Sequence, residues 1–249
     1  MNMAPSAWGS AAFHLRPGIF DPMRLRSVLS RWIGADCVFC GVAAGEPDVC
    51  RGCRQDFLAP RARCLGCAIP LPGHATLCGA CLHRPPNFDA TLALADYAAP
   101  VDGLILALKF GRRLELAPVL GALLATCLAR IEAPASLLVP VPLAFERMAE
   151  RGFNQSAEIG RAVAHKHRIT LDLRLVLRIR HAPAQASLQL EARQRNVRGA
   201  FAVRRRLRGE HVVVIDDVMT TGSTLDEVAR VLKSAGAARV TNCVIARTP

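Results

Sequence analysis

Residues His211–Thr224 read HVVVIDDVMTTGST, and the order of residue types in this stretch decides the fold. His211–Ile215 is short, apolar and rich in β-branched residues, the pattern of a strand buried on both faces. Asp216 and Asp217 follow, then Thr220-Thr221-Gly222-Ser223-Thr224, then a helical pattern over Thr224–Ala235 that Gly236 stops. Four hydroxyls and a glycine that allows close backbone approach thus stand at a helix N-terminus, where free N–H groups and the helix dipole favour a dianionic phosphate. Two adjacent carboxylates would repel that phosphate, so they are expected to face something neutral or cationic, which a ribose diol or a Mg²⁺ ion fits. Asp226 and Glu227 are explained by the helix dipole and stay outside the predicted site.

Working outward, the same texture recurs from about residue 90. Strands are predicted over Asp89–Tyr97, Ser136–Val141, Leu173–Ile179 and Arg239–Ala246. Helices are predicted over Val101–Phe110, Leu114–Ile131 and Asn154–Lys166, with Asn154 as a cap. Alternating strands and helices imply an α/β fold, a parallel sheet flanked by helices, with ligands at the carboxyl ends of the strands. The turn after Val139–Pro142 carries Arg147 and Arg151 toward that edge, and arginine forks suit pyrophosphate oxygens.

Upstream the chain changes character. Four CxxC pairs, Cys37/Cys40, Cys50/Cys53, Cys64/Cys67 and Cys78/Cys81, are separated by nine, ten and ten residues. One CxxC turn aims two sulfurs at one ion, and two turns close a tetrahedral site, so eight cysteines predict two structural zincs. A disulfide framework would need an oxidising compartment, and a thioredoxin-like motif would be a single CxxC. Consecutive knuckles closing short loops are preferred over interleaved ones. Cys127 and Cys243, in apolar context, read as core.

The domain reading is therefore a partly disordered leader over 1–36, with a short basic helix at Pro22–Ile33, a double zinc ribbon over 37–88, and the α/β domain over 89–249. No run of 18 apolar residues and no secretion signal appear, so the expected location is cytoplasmic and no membrane span is predicted. The formal charge is +12; eight thiolates and two Zn²⁺ would reduce it to +8, still basic. Of the 32 basic residues 29 are Arg, and ten fall in Arg174–Arg208 beside one acid, Glu191. Such a run is either a solvated face or a surface for phosphate-rich ligands. At 5% aromatics there is no stacking platform for single-stranded bases.

Val212–Thr224 resembles the 5-phosphoribosyl-1-pyrophosphate (PRPP) signature of type I phosphoribosyltransferases. Val139–Ser156 (VPVPLAFERMAERGFNQS), Gln185–Phe201 (QASLQLEARQRNVRGAF), Tyr97 with Lys109-Phe110, and the cysteine pairs together resemble the ComF family, named for DNA uptake in natural competence. The resemblance implies that Asp216 and Asp217 are the catalytic carboxylates, holding the ribose hydroxyls. It also implies that Thr220, Thr221, Gly222, Ser223 and Thr224 cradle the 5′-phosphate. Gln185–Arg198 resembles a mobile closing loop, with Arg193 and Asn196 on the family pattern, so Arg193 joins Arg147 and Arg151 as a pyrophosphate candidate. The implied cofactors are two zincs and Mg²⁺ with PRPP; the implied partners are a phosphoribosyl ligand and single-stranded DNA or DNA-processing proteins. Handling of imported DNA is the first expectation. An active phosphoribosyltransferase of nucleotide metabolism is the alternative, and its acceptor is left open because any base-reading hood would have to come from residues 90–135 or the cysteine module.

Overall fold

The computed structural model describes residues 35–45, 48–73, 75–129, 131, 134–180 and 197–249. The leader with its expected helix at Pro22–Ile33, and the segment holding Arg193 and Asn196, lie outside these residues. Along the chain come α1 (Arg51–Phe57), α2 (Gly79–His83), β1 (Ala90–Asp96), α3 (Val101–Phe110), α4 (Leu116–Leu128), β2 (Leu137–Pro140) and α5 (Phe145–Arg151). They are followed by α6 (Gln155–His167), β3 (Thr170–Leu171), β4 (Val176–Arg178), β5 (Phe201–Val203), β6 (His211–Met219), α7 (Ser223–Ser234) and β7 (Arg239–Arg247).

The main sheet has the order β1-β7-β6-β2-β3, and every neighbouring pair is parallel. Parallel neighbours need crossover connections, which the helices supply, and both faces are therefore covered. Val212, Val213, Val214 and Ile215 are fully buried in β6, which is why that stretch reads as a continuous apolar run. One face of the sheet packs against α7 and the antiparallel pair β4–β5, through Val212, Val214, Val228, Leu232, Leu175 and Phe201. The other packs against α3, α4 and α6, through Val213, Ile215, Leu108, Leu120 and Ile159.

Helix α4 is apolar on nearly all sides because it is covered on nearly all sides. Leu120 and Leu124 meet the sheet and α6, whereas Val119 and Leu123 meet the first two cysteine knuckles at Cys37, Val49 and Cys53. Gly121 lets α4 and α6 approach: a Cβ there would stand 2.6 Å from the Ala162 Cβ and 2.7 Å from the Ile159 carbonyl oxygen.

The expected elements recur, but the short strands β3 and β5 are additional to them, and three further differences matter. Strand β6 does not end at Ile215 but continues to Met219, because Asp216, Val218 and Met219 keep pairing with Val244, Ala246 and Arg247 of β7. Both carboxylates therefore belong to a strand rather than a loop. Helix α5 was not expected: none of its residues is buried, so it offers no apolar stripe to read. It ends at Gly152, whose φ of 78° is the left-handed C-cap conformation. The strand expected at Leu173–Ile179 contracts to Val176–Arg178.

Candidate phosphate site and sulfur centres

The carboxyl end of β2 lies beside the middle of β6, Pro140 opposite Ile215, and the chemistry gathers from there to the end of β6. Asp217 is 4% exposed and is held by two groups from different helices. The Lys109 Nζ at the end of α3 lies 2.8 Å from its Oδ1, and the Gln155 Nε2 in the first turn of α6 donates to its Oδ2 at 2.6 Å. Asp216 accepts from the Ser156 hydroxyl at 2.9 Å and from the Asp217 backbone N–H at 3.0 Å. Burial, and next the charge of Asp217, push the Asp216 carboxyl up to about 7. Asn154 sets this arrangement: its Oδ1 caps α6 by accepting from the Ser156 N–H, and its Nδ2 donates to the Val141 carbonyl.

Beyond Met219 the turn closes on Gly222, whose φ is 81° and whose position would bring a Cβ within 2.5 Å of the Met219 Cε. A larger residue would be strained by that conformation and would have to displace the Met219 methyl. Thr220 and Thr221 are exposed, Ser223 and Thr224 half-buried, and the Thr221 hydroxyl accepts from the Ser223 N–H at 3.3 Å. The N-cap Gly222 provides no side-chain hydrogen bond to α7, so this end of a twelve-residue helix suits an anion.

Arg151 faces the same edge. Its guanidinium lies 4.9 Å over the Phe110 ring, with Nε and one terminal nitrogen buried without a hydrogen-bond partner. Burial, then the neighbouring charge of Arg147, hold its pKa below the usual arginine value. Burial, then the charge of Arg147 on α5, lower Arg178 of β4 in the same way, so three arginines share one region of positive potential. Orphaned donors next to a compensated carboxylate pair are the chemistry of a site for an anionic, hydroxyl-bearing ligand. Lys109, Gln155 and Ser156 were not singled out from the sequence as site residues. Lysine's rarity was the available signal, since Lys109 is one of three.

The eight knuckle cysteines gather into two groups, Cys37, Cys40, Cys50 and Cys53, and Cys64, Cys67, Cys78 and Cys81. Within each group the sulfurs lie within 4.8 Å of one another, so consecutive knuckles share a centre. Each group is built alike, from one tight turn and one helix start. Cys37 and Cys64 carbonyls accept from Gly41 and Ala68, while Cys50 and Cys78 are the N-caps of α1 and α2. At Gly66 a Cβ would lie 3.0 Å from the Cys81 Sγ, so a side chain there would press on the sulfur cluster. Burial raises the thiols, but backbone N–H groups outweigh it at Cys37, lowered to about 6, and Cys64, lowered to about 7. At Cys53 and Cys81 burial and the neighbouring sulfurs win and raise the thiol. Four sulfurs this close cannot all ionise without a cation among them, and four thiolates are a donor set that fits Zn²⁺.

A separate cavity of about 370 Å³ is lined by Arg54, Leu58, Arg63, Leu94, Leu123 and Cys127, among others, and by none of the carboxylate or loop residues.

A family profile described as the phosphoribosyl transferase domain matches residues 119–249. DNA utilization protein YhgH of Escherichia coli (strain K12) is 34% identical over 212 residues, which is 83% of this chain and 93% of that protein. YhgH of Salmonella typhi is 36% identical over 238 residues, 93% of this chain and 98% of that protein. Competence protein F of Haemophilus influenzae is 27% identical over 210 residues, 80% and 91% of the two chains.

The carboxylate pair makes stability depend on pH. A carboxyl whose pKa is raised by folding, as at Asp216, loses stability as pH rises from its ordinary value near 4 through about 7. The Lys109 cation opposes that loss. Lys109→Met is therefore expected to cost about 3 kcal/mol at pH 8, as for a broken buried ion pair, and clearly less at pH 5, where one carboxyl keeps its proton. Urea unfolding at the two pH values measures this; equal losses would contradict the arrangement.

Proposed function

The chain belongs to the ComF family of phosphoribosyl transferase-domain proteins, whose members are named for DNA utilization and competence, and from that premise we propose that it binds Mg²⁺-PRPP at Asp216–Thr224. The observation that carries this reading is the compensated carboxylate pair on β6 beside the helix start at Gly222. In this role Thr220–Thr224 receive the 5′-phosphate through hydroxyls and helix N–H groups. Asp216 and Asp217 accept from the ribose hydroxyls and favour positive charge at the ribosyl carbon. Arg151, with Arg147 and Arg178 nearby, meets the pyrophosphate; Arg193 is proposed for the same duty. When bound, Mg²⁺ would offset charge on the pyrophosphate oxygens. Zinc is proposed for both sulfur centres, as a structural ion.

The proposed setting is the handling of imported DNA in the cytoplasm, and the relatives' names support that use over nucleotide metabolism. Among the described residues no helix is long and apolar enough to cross a membrane. The exposed arginines Arg174, Arg204, Arg206 and Arg208 support contact with phosphodiesters. With few aromatics, such contact would carry no base readout.

Saturating Mg²⁺-PRPP is expected to stabilise the protein by about 2.7 kcal/mol at 100 times its Kd, a shift of a few degrees in Tm. Asp216→Ala with Asp217→Ala should abolish the shift, and the wild-type affinity should rise from pH 6 to pH 8 as Asp216 ionises. A wild-type Tm indifferent to the ligand would refute the site. Single-stranded DNA is expected to bind weakly, with affinity falling steeply as salt rises; fluorescence anisotropy showing salt-independent binding would contradict phosphate-driven contact.

A further inference from the structure

The second sulfur centre touches the phosphate loop at both ends. Arg247, the last residue of β7 and 7% exposed, sends its guanidinium to carbonyl oxygens. Its Nε donates to the Cys67 carbonyl at 2.8 Å and a terminal nitrogen donates to the Met219 carbonyl at 3.3 Å, with a further bond to the Thr248 carbonyl. Met219 is the residue directly before Thr220, and the Thr248 N–H reaches the same Met219 carbonyl at 3.0 Å. Past the loop, Asp226 in the first turn of α7 accepts from the Asn87 backbone N–H at 2.6 Å and from its side-chain amide at 3.0 Å. Asn87 follows α2, the helix that carries Cys81. A third tie joins the Thr91 N–H to the carbonyl of Leu65, which lies between Cys64 and Cys67.

The first centre has a different seat. Cys37 and Cys53 pack on Val119 and Leu123 of α4. Cys67, in contrast, packs with the core on the α7 side of the sheet, together with Phe88, Met219 and Leu225. The two centres look alike in ligands and differ in what they support.

We infer that Arg247 is a positioning residue that transmits the metal state of the Cys64–Cys81 centre to the phosphate loop, so that this centre, and not the Cys37–Cys53 centre, holds the loop in its ligand-ready shape. A filled centre fixes the Cys67 carbonyl and the position of α2, and through Arg247 and Asn87 it fixes both Met219 and Asp226. The six residues between those anchors, Thr220–Leu225, then have little freedom left to lose when an anion binds, which raises affinity through pre-organisation. Loss of the ion would release both anchors at once. The inference deepens the proposed ligand reading, and its primary test does not use the ligand.

The test is hydrogen–deuterium exchange on the full zinc-loaded chain, read on peptides covering Met219–Asp226, with zinc measured in each sample. Arg247→Met is expected to retain its zinc yet speed loop exchange roughly tenfold, the scale of local opening released by a lost charge-assisted hydrogen bond. Cys78→Ser should lose about one zinc and speed the loop equally. Cys50→Ser should also lose a zinc and leave the loop at the wild-type rate. Unchanged loop exchange in Arg247→Met, or an equal rise in Cys50→Ser, would overturn the inference. Should Cys78→Ser fail to fold, the Arg247→Met and Cys50→Ser arms decide it. Exchange is read without PRPP, so a wild type that ignored PRPP would sink the ligand reading separately.

Discussion

Two neighbouring carboxylates at the end of a buried strand cannot both ionise unless something compensates them. That constraint organises this end of the molecule. It draws Lys109 from the C-terminus of α3, Gln155 and Ser156 from the first turn of α6, and the backbone N–H of Asp217 itself. The compensation is incomplete, since burial and the charge of Asp217 still push the Asp216 carboxyl up to about 7. A site that tolerates this cost is poised for hydroxyl donors, which would complete the hydrogen bonding of the acidic pair.

Much of the fold was legible because its signals are local. An apolar run of β-branched residues followed by a hydroxyl-rich turn reads as strand and helix start without any knowledge of neighbours. CxxC spacing likewise declares its own turn, and short loops between consecutive pairs decide which knuckles meet. The rest was hidden for one physical reason: its partners are distant in sequence. Gln155 finds Asp217 across 62 positions, Asn87 finds Asp226 across 139, and Arg247 finds Cys67 across 180. Polar residues with such partners leave no period in the chain. Asp226 illustrates the limit, since its place in a first helical turn is reason enough for an acid, yet its bonds go to Asn87. Helix α5 escaped for the opposite reason, having no buried face to impose a pattern.

The cysteine module is more than an appended ribbon. Its first centre covers α4, which is why that helix is apolar on the side turned away from the sheet. Its second centre lies against the ends of β6 and β7 and the start of α7. Each four-sulfur cluster thereby adds to the small core available to the part of the chain it packs against.

In the proposed reading, Thr220–Thr224 and the carboxylate pair form one ligand site. The most direct measurement is a TROSY NMR titration of the isotopically labelled chain with ribose 5-phosphate. Saturable shifts confined to the amides of Thr220–Thr224, Asp216 and Asp217 are the expected result. Shifts spread over the exposed arginines, with the loop amides unmoved, would contradict it.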